Sequence, residues 1–175
     1  SHLVGNISQS YKLEDPQNMM IPGLFDILHN PNSNPKMFEF INKELDYKIT
    51  RIFPNVNNLE PHLLDMWVNF QKKGEFQPVH HHVGVFSFVI WMDIPYNHED
   101  ESKLPFMGKS PSHGGNFMFL TSEDKSRLLE STIIDLSPKM NGYCCFFPSD
   151  LSHEVYPFYT SDKDRISISG NIIYR

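Results

Sequence analysis

Residues 80–92 of the chain read HHHVGVFSFVIWM, three histidines followed by an almost unbroken apolar run. A short apolar run rich in β-branched and aromatic residues is typical of a strand that is buried on both faces. Side chains alternate between the two faces of a strand, so His80 and His82 point inward and His81 outward if all three lie on one strand. The stretch therefore predicts a buried sheet that carries two imidazoles on its inner face.

Further strand-like segments surround this stretch, and turn residues separate them. We predict strands at residues 66–71, 75–82, 85–94, 116–121, 132–136, 143–147 and 165–173. Several short strands that are separated by turns favour a jelly-roll sandwich or barrel. The expected fold class is α+β and mainly β, because the helical patterns lie before the strands.

Two helices are expected outside the sheets. A helix opens at Asn34-Pro35, since the apolar residues that follow have helix-face spacing. Residues 59–65 are predicted to form a second, short helix. The connection 97–115 contains two prolines and three glycines and no clear element, so we expect a flexible loop that borders the site. We expect residues 1–175 to form one domain whose core spans about residues 66–173.

Composition excludes several classes of function. The formal net charge is −6, and no basic run exceeds two residues, so the chain lacks the clustered positive charge that nucleic-acid binding needs. No segment is apolar over the roughly 18–20 residues of a membrane span, and no signal region opens the chain. The two cysteines, Cys144 and Cys145, are adjacent and are expected to stay unpaired, which indicates a reducing, cytoplasmic setting.

The histidines form a candidate metal site. His80 and His82 share one strand face, and His153 lies in a distant strand-like segment directly after a Pro-Ser-Asp turn. Neutral imidazoles are good ligands for iron, zinc, copper and nickel. The alternative is that the three histidines at 80–82 are only a polar strand end.

A candidate anion site follows the last histidine by twelve residues. Arg165, Ser167 and Ser169 alternate with Ile166 and Ile168, which gives one polar and one apolar face. If the polar face points into the barrel, Arg165 is a buried cation that needs an anion. The planar guanidinium can donate two parallel hydrogen bonds to a carboxylate. The alternation is equally compatible with an arginine in water.

Together these residues resemble the iron(II)/2-oxoglutarate-dependent dioxygenases. That family carries a His-x-Asp/Glu pair, a distal histidine and a basic residue about ten positions beyond, often as Arg-x-Ser. His153 and Arg165-Ile166-Ser167 match the second half of this pattern. Gly74, six residues before His80, is similar to the prolyl-hydroxylase-like branch, and residues 67–95 also resemble small oxygenases of marine bacteriophages. The resemblance covers roughly residues 66–173 and implies a double-stranded β-helix core with N-terminal helices packed outside.

The resemblance implies Fe(II), 2-oxoglutarate and O2 as metal, co-substrate and oxidant. The metal ligands implied are His80, His82 and His153, with His82 at the position of the family's carboxylate. Two alternatives stay open: His80 and His153 with water in the third place, or His82 as first ligand with Gly84 at the carboxylate position. Arg165 and Ser167 would hold the distal carboxylate of 2-oxoglutarate. Gln71 occupies the place where relatives often carry a tyrosine that contacts the 2-oxo acid.

The reaction implied is hydroxylation of a peptidyl side chain of the prolyl type or of a small metabolite, with release of succinate and CO2. The partners implied are this co-substrate and an unidentified substrate, with no nucleic acid and no membrane. The location implied is the cytoplasm, or the host cytoplasm if the chain is viral. Two other classes remain: a cupin-like metal protein that does not use 2-oxoglutarate, and a non-catalytic β-domain.

Overall fold

The computed structural model describes residues 7–28, 32, 35–52, 60–107, 113–122 and 129–175. Within these ranges, nine strands form two antiparallel sheets that face each other: β1 Gln9–Lys12, β2 Pro61–Gln71, β3 Gln77–His80, β4 Phe86–Asp93, β5 Phe117–Ser122, β6 Leu129–Ile134, β7 Cys144–Pro148, β8 Ser152–Val155 and β9 Arg165–Tyr174. The five-stranded sheet has the order β1-β2-β9-β4-β7, and the four-stranded sheet has the order β3-β8-β5-β6. The predicted fold class, mainly β with a jelly-roll core, is confirmed.

An apolar core fills the space between the two sheets. β4 contributes Val89 and Trp91, and β5 contributes Phe117 and Phe119 from the opposite sheet. All four side chains are buried. The alternation of strand side chains sends their neighbours Phe86 and Phe88 to the other face of the five-stranded sheet.

The N-terminal helices cover that other face. Helix α1 spans Met20–Leu28 and helix α2 spans Pro35–Ile52. Ile21 and Ile41 are buried in a second apolar cluster with Phe86 and Phe88 of the sheet. The expectation that N-terminal helices pack outside the β core is thus confirmed.

Three local predictions were wrong. The described residues from Pro61 to Asp65 belong to strand β2 rather than to a short helix, because they pair with the end of β9. The connection 97–115 is not without structure, since it contains helix α3, His98–Glu101, and a 3-10 turn, Pro105–Met107. Residues 108–112 of this connection lie outside the described ranges. Strand β3 ends at His80, two residues earlier than expected.

Strand β2 contains one extra residue. Leu63 pairs with Ile172 and Asp65 pairs with Asn171, so Leu64 between them has no partner in the ladder. This is a β-bulge, which adds one residue to one strand and bends it. It lies at the end of the strand that is remote from Gln71.

Two expectations from composition can be compared with the structure. Cys144 and Cys145 are free cysteines, as expected for neighbours on one strand. Among the described helices, none combines the length and apolar character that crossing a membrane requires.

Candidate metal centre

Three imidazoles converge at one end of the space between the sheets. One possible ligand atom from each of His80, His82 and His153 lies within 4.8 Å of the other two. The ring centroids are 4.3 Å apart for His80 and His153, and 5.0 Å apart for each of the other two pairs. The structure therefore brings together all three predicted ligands.

Two neighbouring strands and one loop place these rings. His80 is the last residue of β3 and pairs directly with His153 on β8. The sequence pattern predicts His82 on the same strand as His80. In the structure it lies two residues beyond the end of that strand. Its backbone N–H donates to the carbonyl of Ser149 at 2.8 Å, which returns the chain towards the other two histidines.

Two of the imidazoles are oriented through their second ring nitrogen. His80 Nδ1 lies 2.7 Å from the carbonyl oxygen of Pro78, and His153 Nδ1 lies 2.9 Å from that of Leu151. A carbonyl oxygen only accepts hydrogen bonds, so Nδ1 carries the hydrogen in both rings and Nε2 keeps its lone pair. The neighbouring acids Asp150 and Glu154 do not make this contact.

The surroundings keep the rings neutral. Burial lowers the pKa of His82 to about 4 and the pKa of His153 to about 3, and the neighbouring imidazoles add to both shifts. Burial also lowers the pKa of His80. Since a metal ligand must be deprotonated, all three rings are in the ligand form at neutral pH.

Aromatic side chains enclose the three imidazoles. The ring of Phe117 stacks on His153 with centroids 5.4 Å apart, and Phe147 approaches the same ring at 5.0 Å. Trp67 on β2 lies 5.6 Å from His82. The rings thus lie between apolar surfaces, which restrict their movement and exclude water from one side.

Arg165 is buried at the opposite end of the same pocket. Its side chain is 3% exposed, so the inward-facing alternative holds. Nη1 donates to the hydroxyl of Tyr96 at 2.6 Å and to the carbonyl of Gly115 at 3.0 Å, and Nη2 donates to Oε1 of Gln71. All three acceptors are neutral, and within the described ranges no carboxylate pairs with this guanidinium.

The two ends are connected by inward-facing residues of β2 and β9. Gln71 pairs with Arg165, Asn69 with Ser167, and Trp67 with Ser169. Trp67 contacts His82 and Gln71 contacts Arg165, and the four steps along the strand from Trp67 to Gln71 span about 13 Å at the usual rise of a strand. Ser167 therefore lies midway between the imidazoles and the guanidinium, and Gln71 lies at the guanidinium end.

Apart from Arg165, the described residues that line the pocket are neutral. The described residues that line it are Ile7, Trp67, Asn69, Gln71, Gln77, His80, His82, Phe88, Val89, Trp91, Phe117, Phe147, His153, Val155, Arg165, Ser167 and Ser169. None of these carries a carboxylate. Gly84, considered from the sequence as the carboxylate position, is not among them.

Sequence reasoning missed Tyr96 and Asn69. Tyr96 is 3% exposed, and its ring stacks on Phe158 with centroids 4.6 Å apart. Asn69 is 4% exposed, and its Oδ1 has no hydrogen-bond partner among the described residues. Asn69 could have been found from its position two residues before Gln71 on one strand face, whereas no spacing rule places Tyr96 beside an arginine 69 residues later.

Comparison with known proteins identifies a family for most of the β region. The family model described as "Putative 2OG-Fe(II) oxygenase" matches residues 65–171, which include all three histidines as well as Gln71, Arg165 and Ser167. No curated protein matches the sequence.

Solved structures similar to this chain have low sequence identity. A prolyl-4-hydroxylase of Pseudomonas putida is 14% identical, with a TM-score of 0.48, and the match covers 100% of this chain and 76% of that one. The viral collagen prolyl hydroxylase of Paramecium bursaria Chlorella virus-1 is 12% identical, with a TM-score of 0.46, and the match covers 97% of this chain and 80% of that one.

A third similar structure is an oxidoreductase of the 2OG-Fe(II) oxygenase family from Burkholderia pseudomallei. It is 19% identical, with a TM-score of 0.45, and the match covers 80% of this chain. The chain spans 59% of the length of that protein.

Proposed function

Because this chain belongs to the 2OG-Fe(II) oxygenase family, we propose that it hydroxylates a C–H bond of a peptidyl side chain of the prolyl type, or of a small metabolite, with iron(II), 2-oxoglutarate and O2. In this reaction one oxygen atom of O2 enters the substrate as a hydroxyl group. The other enters succinate, which forms as 2-oxoglutarate loses CO2. The observation that carries the proposal is a buried guanidinium, paired with no carboxylate among the described residues, at one end of a pocket whose other end holds three neutral imidazoles.

We assign His80, His82 and His153 as the ligands of the iron. Their chemistry fits the ion, because imidazole nitrogens suit iron and all three rings are neutral at pH 7. His82 takes the place of the family's usual carboxylate, since no described acid lines the pocket. These three residues would hold the iron(II) ion, which would supply the binding of the co-substrate and the activation of O2.

Arg165 is assigned as the group that binds the distal carboxylate of 2-oxoglutarate. A guanidinium has five N–H donors, and three hydrogen bonds to Tyr96, Gly115 and Gln71 leave two for a ligand. Two donors are enough for a bidentate contact with a carboxylate. Binding would also remove the energetic cost of a buried charge that has no counter-ion.

Ser167 and Gln71 are assigned supporting roles in this binding. Ser167 lies beside Arg165 on the same face of β9 and can donate a hydroxyl hydrogen to the bound acid. Gln71 accepts from the guanidinium, and its Nε2 donates to the carbonyl of Glu75 at 2.5 Å. Gln71 would therefore act on the co-substrate by fixing Arg165.

The experiment that tests the proposal compares the wild type with Arg165→Ala. Purified protein is supplied with iron(II), 2-oxoglutarate and O2, and succinate is measured. We expect wild-type turnover and a loss of at least about 30-fold in kcat/KM for 2-oxoglutarate in the variant, since truncating one partner of a buried charge pair costs roughly 2–5 kcal/mol.

A surface arginine provides the matched control. Arg175 is exposed at the end of β9, and Arg175→Ala should leave turnover unchanged. The proposal fails if wild-type protein that binds iron forms no succinate. It also fails if Arg165→Ala converts 2-oxoglutarate as fast as the control does, which would favour a metal protein with another co-substrate or none.

A further inference from the structure

A chain of buried polar side chains lies near the histidines but outside the pocket. Ser87 Oγ is 2.9 Å from Ser149 Oγ and 2.7 Å from Asn171 Oδ1, and Asn171 Nδ2 donates to Asp65 Oδ1 at 2.7 Å. Ser149, Ser87 and Asn171 are 0%, 1% and 3% exposed. Burying such groups is costly unless each is hydrogen-bonded, so their pairing is part of what holds this end of the barrel together.

The direction of these hydrogen bonds follows from the donors available. Asn171 gives an N–H to the carboxylate of Asp65, so its Oδ1 can only accept. Ser87 has one hydroxyl hydrogen, which it must give to Asn171, and it therefore accepts from Ser149. The chain of donors runs from Ser149 through Ser87 and Asn171 to Asp65, and successive bonds of this kind strengthen one another.

Ser149 also holds the segment that carries His82. The N–H of His82 donates to the carbonyl of Ser149 at 2.8 Å, and the N–H of Ser149 donates to the carbonyl of Val85 at 3.1 Å. The segment lies close against β9, because a Cβ at Gly84, where φ is +113°, would come within 2.9 Å of the carbonyl oxygen of Ile172. Ser149 thus uses both backbone groups for this segment and its hydroxyl for the buried chain.

The ring of His82 lacks the support that the other two rings have. His80 and His153 are each oriented by a backbone carbonyl at Nδ1. In the part of the chain that the structure describes, the contacts of the His82 ring are with Trp67 and the other two imidazoles. The position of this ring therefore depends on how its backbone is held.

We propose that Ser149 is a positioning residue for His82, which it holds in place through the buried chain Ser149–Ser87–Asn171–Asp65. This inference rests on the proposed function, in which His82 is the third metal ligand. Without the hydroxyl of Ser149, the turn at 148–150 loses its side-chain hydrogen bond to Ser87 of β4 and, through Ser87, its link to Asn171 of β9. His82 then spends less time at the position where its imidazole meets the other two.

The test uses Co(II) as a spectroscopic substitute for iron in the full-length protein. We expect Ser149→Ala to bind Co(II) about tenfold more weakly than the wild type, the lower end of what partners of metal ligands contribute. At saturating Co(II), its visible absorption should lie between that of the wild type and that of His82→Ala, because the third imidazole is bound for only part of the time. A loss of stability alone would lower the melting temperature without changing the spectrum of the bound ion.

Two further variants complete the test. Ser102→Ala removes a surface hydroxyl that donates to the carbonyl of Glu99, and it should match the wild type in affinity and spectrum. Ser87→Ala breaks the same buried chain without altering residue 149, so it should reproduce the effect if Ser149→Ala does not fold.

The outcomes separate this inference from the proposed function. If Ser149→Ala or Ser87→Ala folds and matches the wild type in affinity and spectrum, the inference is overturned while the ligand assignment stands. If the wild type binds no Co(II), or if His82→Ala has the wild-type spectrum, the assigned metal site itself fails and the inference fails with it.

Discussion

The position of the Arg165 guanidinium depends on acceptors that are distant in sequence. The hydroxyl of Tyr96 donates to the carbonyl of Gly115 at 2.5 Å, so its oxygen is left to accept from Arg165. The ring of Tyr96 fills the space next to Gly115, and a Cβ at that glycine would overlap it. Tyr96 is therefore held on two sides, and it fixes one side of the guanidinium.

Removing the hydroxyl of Tyr96 should weaken the binding of 2-oxoglutarate. We expect Tyr96→Phe to raise the KM for 2-oxoglutarate about tenfold with little change in kcat, since one hydrogen bond to a charged group contributes roughly 1.5–3 kcal/mol. The affinity for 2-oxobutyrate, which lacks the distal carboxylate, should not change, as calorimetry on metal-loaded protein can show.

Tyr159→Phe provides the control for this prediction. It removes a hydroxyl from the neighbouring segment, where the ring of Tyr159 packs against Phe106. Equal losses of affinity for 2-oxoglutarate and 2-oxobutyrate in Tyr96→Phe would contradict a role through the distal carboxylate and would indicate general disturbance of the pocket.

Two of the site residues predicted from sequence are ones that a period of two can place. Arg165 and Ser167 share a face of β9, and the structure puts that face inside the pocket. Tyr96 and Asn69 were missed, because Tyr96 reaches Arg165 across 69 residues and Asn69 is an ordinary polar residue in the sequence. The period of two places Asn69 on the strand face of Gln71, but only the structure shows that its buried oxygen has no partner among the described residues.

At the scale of elements, helix α3 is attached to the segment before β9 by a buried carboxylate. Glu101 is 0% exposed and accepts from the N–H groups of Tyr159 and Thr160, each at 2.8 Å, and from the Thr160 hydroxyl at 2.5 Å. It is part of an acidic run, residues 99–101. For Glu101 the structure shows that the partners are neutral donors of the chain itself.

Loss of this carboxylate should destabilise the protein. We expect Glu101→Ala to lower the free energy of unfolding by about 3 kcal/mol, because three donors lose a charged acceptor. Urea unfolding followed by circular dichroism measures the change. Glu99→Ala, two residues earlier and exposed, should stay within about 0.5 kcal/mol of the wild type. Similar values for the two variants would show that the carboxylate of Glu101 contributes little.

Strands with long apolar or alternating patterns were predicted well, whereas short segments were not. Strand β4 spans Phe86–Asp93 within the predicted 85–94, since its apolar side chains leave no other stable placement. Residues 61–65 form a strand because they pair with the end of β9. This pairing partner is distant in sequence, so no local pattern predicts it. The prediction that residues 1–175 form one domain stays a prediction.

At the scale of the whole molecule, the three imidazoles, one buried and two half-buried, make stability depend on pH. In the metal-free protein the pKa values of His82 and His153 are about 4 and about 3, below the 6.5 of an exposed histidine. Between these values and 6.5 the unfolded chain binds protons that the folded chain does not. Stability is therefore expected to fall as the pH is lowered from about 6.5 towards 4.

Unfolding in urea at a series of pH values tests this prediction on metal-free protein. The slope of stability against pH between 4 and 6.5 should be smaller in the double variant His82→Ala, His153→Ala, because both depressed groups are gone. Parallel curves for the wild type and the double variant would mean that these rings do not cause the dependence.

The extra residue Leu64 reverses which side chains of β2 look inward. Leu63 before it packs with the cluster beneath the N-terminal helices, and Met66 after it does the same. Before Leu64 the odd-numbered residues of β2 face the helices, as Leu63 does. After Leu64 the even-numbered residues face them, as Met66 does. One inserted residue thus keeps both Leu63 and Met66 on the face that packs against the helices, while Asp65 between them accepts from Asn171. Because Leu64 has no partner in the ladder, deleting it would leave Leu63, Asp65 and Met66 in regular alternation and would remove only the local bend of β2.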